Sequence, residues 1–192
     1  MVFMVHPEQY LNKFSLLLLA TLLFACSQKP ASMGIIPMAD ISLKQRQGTL
    51  YFKGVPFNGT TFELFDNGDT AKAVPYVNGK ENGIMQWWHP NKQLAQKRLF
   101  VNGRKEGVHM GWWPNGKKQF EYHFTNDEYE GEVKEWFSNG TVFRIFHYAA
   151  GHEAGSQKMW WEDGKIRANY VIVNGEKFGL FGQKLCVNDV KN

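Results

Sequence analysis

Histidines and carboxylates are the side chains of this 192-residue chain best suited to chemistry. His123 and His147 stand 24 residues apart, and Glu121, Asp127, Glu128, Glu130, Glu132 and Glu135 crowd the same stretch. A zinc ion needs several donors within about 2 Å of itself. Paired hydrolytic carboxylates need a cleft of defined width between them. Histidines two strands apart in one sheet are separated by roughly 10 Å, too far to share an ion. The carboxylates are read as solvated positions. The serine-nucleophile motif G-x-S-x-G, the phosphate-binding G-x-x-x-x-G-K-[ST] and the metalloprotease H-E-x-x-H are all missing. No catalytic residue, metal site or cofactor is therefore expected, and the chain is not expected to be an enzyme. What remains is a row of large aromatic side chains: Trp113, Phe137 and Trp161, again at intervals of 24.

That interval organises the whole chain. Gly59, Gly83, Gly107, Gly131, Gly155 and Gly179 keep it without exception. A second series keeps it too: Asn67-Gly68, Asn91-Lys92, Asn115-Gly116, Asn139-Gly140 and Asp163-Gly164. A third runs Asn78-Gly79, Asn102-Gly103, Asn126-Asp127, Ala150-Gly151 and Asn174-Gly175. A repeat array stacks copies of one small unit and commonly offers a surface to a partner.

Each copy reads as a β-hairpin. Five and six residues after its glycine come bulky pairs such as Trp88-His89, Trp112-Trp113, Trp136-Phe137 and Trp160-Trp161. The Asn-Gly step of the second series follows, and it predicts a tight type I′ turn, whose two central residues need positive φ. The third series is predicted to close a looser return loop. Val74, Arg98, Tyr122, Phe146 and Tyr170 occupy one position of the following strand, and Tyr76, Phe100, Phe124, Tyr148 and Ile172 lie two residues further on, on the same face. Glycine breakers inside every few turns argue against helix. The expected fold is all-β: an elongated, single-layer antiparallel sheet of 24-residue hairpins over residues 48–187. Five full copies run from Gly59, with partial copies at both ends and a polar tail at 188–192. The six repeat glycines are expected to mark turns.

The segments "NGTTFELFDNGD", "EGVHMGWWPNGKKQFEYHFTND" and "EGEVKEWFSNG" resemble the bacterial MORN repeat variant. That resemblance implies a sheet of successive hairpins, and it points to the YwqK-like antitoxin family of toxin–antitoxin systems. Lys92, Asp127 and Ala150 depart from the pattern at turn positions.

The front of the chain carries a different message. Lys13 precedes an apolar run from Phe14 to Ala25, too short for a membrane-spanning helix, which needs about 20 residues. Leu23-Phe24-Ala25-Cys26 resembles the lipobox of bacterial lipoproteins. The resemblance implies that residues 1–25 are a signal peptide and that Cys26 is lipidated, with 26–47 a tether. Pro30, Gly34 and Pro37 argue against regular structure in that tether, although its Ile and Met residues are available to pack on the first hairpin. Cys186, the other cysteine, is then left unpaired and reads as a small apolar residue near the last strand.

These readings converge on a membrane-anchored protein of the bacterial envelope, at the outer membrane in a Gram-negative cell. Its sheet binds a protein not yet identified, through a surface that includes Trp113, Phe137 and Trp161. Two alternatives stand beside it. One is an antitoxin or immunity role, implied by the family resemblance alone. The other is glycan binding by exposed aromatic rings. The net charge of +4 is scattered, and the signs along the repeat edge are mixed (Lys80, Arg104, Glu128, His152, Glu176), which makes a poor track for nucleic acid.

Overall fold

The computed structural model describes residues 34–182, all within one compact unit, Ser32–Asn192. Cys26, Cys186, the expected signal peptide and the polar tail lie outside the described residues. The described residues hold sixteen strands and no helix. Four precede the first repeat glycine: β1 (Ile35–Pro37), β2 (Leu43–Arg46), β3 (Thr49–Phe52) and β4 (Val55–Pro56). Copy one is β5 (Gly59–Leu64) and β6 (Thr70–Val77). Copy two follows as β7 (Lys80–Glu81), β8 (Gly83–Trp88) and β9 (Leu94–Val101). Copy three is β10 (Arg104–Trp112) and β11 (Lys118–Thr125); copy four is β12 (Glu128–Trp136) and β13 (Val142–Ala149). Copy five is β14 (His152–Trp160) and β15 (Ile166–Val173), and β16 (Glu176–Leu180) opens a sixth.

Strands β5 to β16, joined by β1, form one 13-stranded sheet in which chain neighbours pair antiparallel, β7 lying on β6 off the main path. The hairpin array expected from the 24-residue beat is therefore present. One core row runs across it. Thr61, Met85, His109, Val133 and Gln157 each stand two residues after a repeat glycine, and all are between 0% and 4% exposed. Cross-strand register sets them against the aromatic-rich position: Thr61 opposite Val74, Met85 opposite Arg98, and then His109, Tyr122, Val133, Phe146, Gln157 and Tyr170 in succession. Such opposed pairs are the stabilising unit of a sheet. Burying a side chain like Phe146 or Val133 contributes about 1.5–3 kcal/mol.

The two turns of each hairpin are the reverse of the expectation. The tight type I′ turn belongs to the third series: Asn78 and Gly79 have φ of 50° and 73°, and Val77 pairs directly with Lys80. Asn102-Gly103, Asn126-Asp127, Ala150-Gly151 and Asn174-Gly175 repeat that geometry. At the second series only the last residue has positive φ, as in Gly68 at 84°. There Gly68 N donates to Phe65 O and Phe65 N donates to Asp69 O, each at 2.8 Å, so the loop has three residues and ends in a bulge. Asn67 serves this turn through its side chain, whose Oδ1 accepts from Asp69 N at 3.0 Å. Asn91, Asn115, Asn139 and Asp163 do the same. Asparagine recurs at both turns for unrelated reasons: an Asx hydrogen bond at one, tolerance of left-handed backbone at the other.

The repeat glycines are not turn residues. Gly107, Gly131 and Gly155 lie inside strands, a few residues past the tight turn. The pairing of β10 with β9 shifts register between Glu106 and Met110, around Gly107. The glycine admits the positive φ of this irregularity, 62° at Gly107.

The region expected to be a tether also departs from expectation. β1 pairs parallel with β5, while β2, β3 and β4 form a separate three-stranded sheet. Tight turns at Gln47-Gly48 and Lys53-Gly54 leave room between them only for the four residues of β3, too short to continue the long ladder. Ile36, Leu43, Leu50 and Phe57 form their own buried cluster, with Met38 packed on it. Leu50 N donates to Gly79 O at 2.8 Å, tying this small sheet to the first tight turn of the array.

Candidate functional site

The aromatic row six residues past each glycine is held by the three-residue turns. Trp113 begins one of them: its N–H donates to Lys117 O and its carbonyl accepts from Gly116 N, both at 2.8 Å. Phe137 is fixed in the same way by Thr141 O and Gly140 N. With both backbone groups engaged, the ring directions follow from the turn. Successive copies are then stitched together. Trp113 Nε1 donates to Trp136 O at 3.1 Å, and His89 Nε2 donates to Trp112 O at 2.8 Å. Asn115 Nδ2 adds a 2.7 Å bond to Ser138 O.

Between copies three and four lies a recess of about 480 Å³. Trp113 and Phe137 line it together with Phe143, Phe120, Tyr122 and Glu135. Phe137 and Phe143 meet edge to face at 5.1 Å, and Phe120 stacks on Tyr122 at 4.5 Å with ring planes 18° apart. Gly111 makes that stack possible, because a Cβ there would sit 2.1 Å from Phe120 Cε1. Glu135 supplies the polar side. Its Oε1 accepts from Tyr122 OH at 2.5 Å and from Arg144 Nη2 at 2.6 Å. Burial, and then the bond to charged Glu135, push the Tyr122 hydroxyl well above the ordinary phenol range. Trp136, Gln119, Ser138 and Glu162 complete the lining. The recess thus offers flat apolar rings and a few oriented polar edges, the usual make-up of a binding pocket.

Of the three aromatic residues expected to form a surface, the recess brings together Trp113 and Phe137. Trp161 does not line it. Half of Trp161 is exposed, at 50%, and the Arg167 guanidinium lies 4.4 Å above its ring. Trp113 anchors on the copy that follows it, whereas the described residues after copy five supply only β16. Glu135, expected to be a solvated carboxylate, is instead half-buried and doubly hydrogen-bonded. Nothing in its residue type distinguishes it from its acidic neighbours; the signal is position, since four residues past Gly131 falls on the core face.

The remaining acidic and basic groups have local duties. Glu130 Oε2 accepts from Ala150 N at 2.8 Å, and Asp127 Oδ1 accepts from Lys105 N at 2.8 Å. On the opposite face His147 Nε2 approaches Glu132 at 3.3 Å and His123 Nε2 approaches Glu121 at 3.6 Å. A hydrogen bond from Lys134 lowers the Glu132 carboxyl, and one from Lys118 lowers that of Glu121. Among the described residues no group of three His, Cys, Asp or Glu side chains could hold a metal ion.

Comparison with known proteins agrees with the repeat geometry. Residues 81–102, 105–126 and 129–150 match the MORN repeat variant family. These stretches coincide with copies two to four, which are similar to that repeat. The match reaches the repeat class and no finer subdivision. Among solved structures, the chain is similar to one in the crystal structure of the GtfA/B complex bound to UDP and GlcNAc, at 14% sequence identity and a TM-score of 0.25. The match covers 89% of this chain and 38% of that chain, and at that score it carries no argument. No curated protein matches.

Proposed function

We propose that this protein is a lipid-anchored lipoprotein of the bacterial envelope whose repeat sheet docks another protein without catalysis. The observation that carries the docking reading is the aromatic recess between copies three and four. Its rings are fixed by turn and inter-copy hydrogen bonds, so a partner ordering itself there meets a preformed surface. The repeat class, which is generally a protein-interaction class, supports the same reading. The anchor rests on Leu23-Phe24-Ala25-Cys26. Several acyl chains, each contributing about 0.8 kcal/mol per buried CH₂, hold a protein firmly to a bilayer.

Two measurements test the two halves separately. Intact mass of the membrane-extracted protein should show loss of residues 1–25 and added lipid on Cys26; an unmodified full-length chain in the soluble fraction refutes the anchor. Photo-crosslinking in cells from a position at the rim of the recess should give one discrete adduct. The adduct should vanish in a Trp113→Ala, Phe137→Ala double variant that still folds. An adduct insensitive to both substitutions refutes docking at this recess.

A further inference from the structure

The row opposite the buried core position reads Val74, Arg98, Tyr122, Phe146 and Tyr170, and Arg98 is its single charged member. It faces Met85 across β8 and β9. Its guanidinium lies 5.0 Å from the Trp87 ring and 5.8 Å from the Phe120 ring. Several cations of this sheet are ion-paired: Lys72 with Glu63 at 3.2 Å, Arg144 with Glu135 at 2.6 Å, Lys177 with Glu153 at 2.9 Å. Arg98 has no carboxylate partner among the described residues, and its buried Nε has no acceptor. Burial works against its charge, and only the Tyr122 and Tyr129 hydroxyls act in the other direction. Lys105, whose Nζ lies 5.1 Å over the Phe124 ring, also has no ion pair among the described residues.

A half-buried guanidinium without a counter-charge loses solvation that aromatic contacts offset only in part. An incoming carboxylate restores that loss and gains a charge-assisted, two-pronged hydrogen bond. The location matters as much as the charge. Phe120, whose ring lies 5.8 Å from the Arg98 guanidinium, also lines the aromatic recess. Within the recess Glu135 is already neutralised by Arg144, and Glu162 accepts from Asn139 Nδ2 at 3.2 Å, whereas the Arg98 guanidinium beside the recess has no carboxylate partner among the described residues. We propose that the docking partner presents an acidic side chain to Arg98 next to an apolar side chain seated between Trp113 and Phe137. This rests on the docking reading above and names the chemistry of the partner segment.

The test uses the full mature protein and short fluorescein-labelled peptides. Each peptide carries one Trp and, at a graded series of spacings from it, Asp, Asn or Lys. At the best spacing the Asp peptide should bind about tenfold tighter than its Asn counterpart, as a charge-assisted bond requires. The margin should disappear in Arg98→Gln and shrink as NaCl is added to the wild-type protein. The salt titration decides the matter even if Arg98→Gln fails to fold. Equal binding of Asp and Asn peptides, or tighter binding of the Lys peptide, overturns the acidic assignment and leaves docking at the recess standing. Failure of every peptide to bind overturns both.

Discussion

His109 is the residue where burial and charge conflict most directly. It is 1% exposed, its ring lies 4.6 Å from Phe124 and 5.5 Å from Phe100, and its Nε2 donates to Leu99 O at 2.8 Å. Burial pushes the imidazole below its ordinary range; Arg98 and Lys105 push the same way, opposed by its backbone hydrogen bonds. The neutral ring is therefore the native form. The unfolded chain takes up a proton near the ordinary value of about 6.5, before the folded protein does. Stability is thus complete above that pH and declines as pH falls toward the depressed native value, because the unfolded state binds more protons. Denaturant midpoints measured at neutral and mildly acidic pH should show this loss in the wild type. The loss should be smaller in His109→Gln, which keeps a donor for Leu99 O and cannot titrate. An equal acid loss in both proteins assigns the effect elsewhere.

At the scale of the strand and turn, the exceptions to the repeat say which backbone demand is real. Ala150 has φ of 47° where the other copies have asparagine, and left-handed backbone is unfavourable for alanine. Ala150→Asn is expected to stabilise by about 0.5–1 kcal/mol, read as a raised denaturant midpoint. Asn67→Ala tests the contrasting turn: it loses the Asx bond to Asp69 N and should destabilise by roughly 0.5–1.5 kcal/mol, although no positive φ is required there. The hairpins themselves were legible in the sequence, because glycine, asparagine and bulky residues recur at fixed places. The division of labour between the turns was not, because Asn-Gly satisfies two different demands with one spelling. The buried core row was not legible either. Thr61, Met85, His109, Val133 and Gln157 share burial and no chemical character, so no compositional signal marks them. Trp113 and Phe137 were visible as a row, while the company of Glu135, Tyr122 and Phe120 depends on which way each strand faces.

Among the described residues the two ends of the array are finished differently, and that asymmetry sets how it should come apart. The first copy is sealed by β1, the small sheet and the Ile36–Leu43–Leu50–Phe57 cluster. At the other end every residue of β16 is exposed, and Phe178, Leu180 and Phe181 are each about half exposed. Strands from β5 onward pair in chain order, so stability passes from neighbour to neighbour, and an unsealed end unzips first. Ala168, buried in β15, offers a place to break the chain of support. Ala168→Asp puts an unpaired charge in the core of copy five. Hydrogen exchange should then show protection lost across β14 to β16 and retained across β8 to β11. In the wild type, protection should rise from β16 inward toward β11 and β12. Uniform loss of protection in the variant would mean that the copies fold as one cooperative block rather than as a ladder, and the neighbour-by-neighbour account would fail.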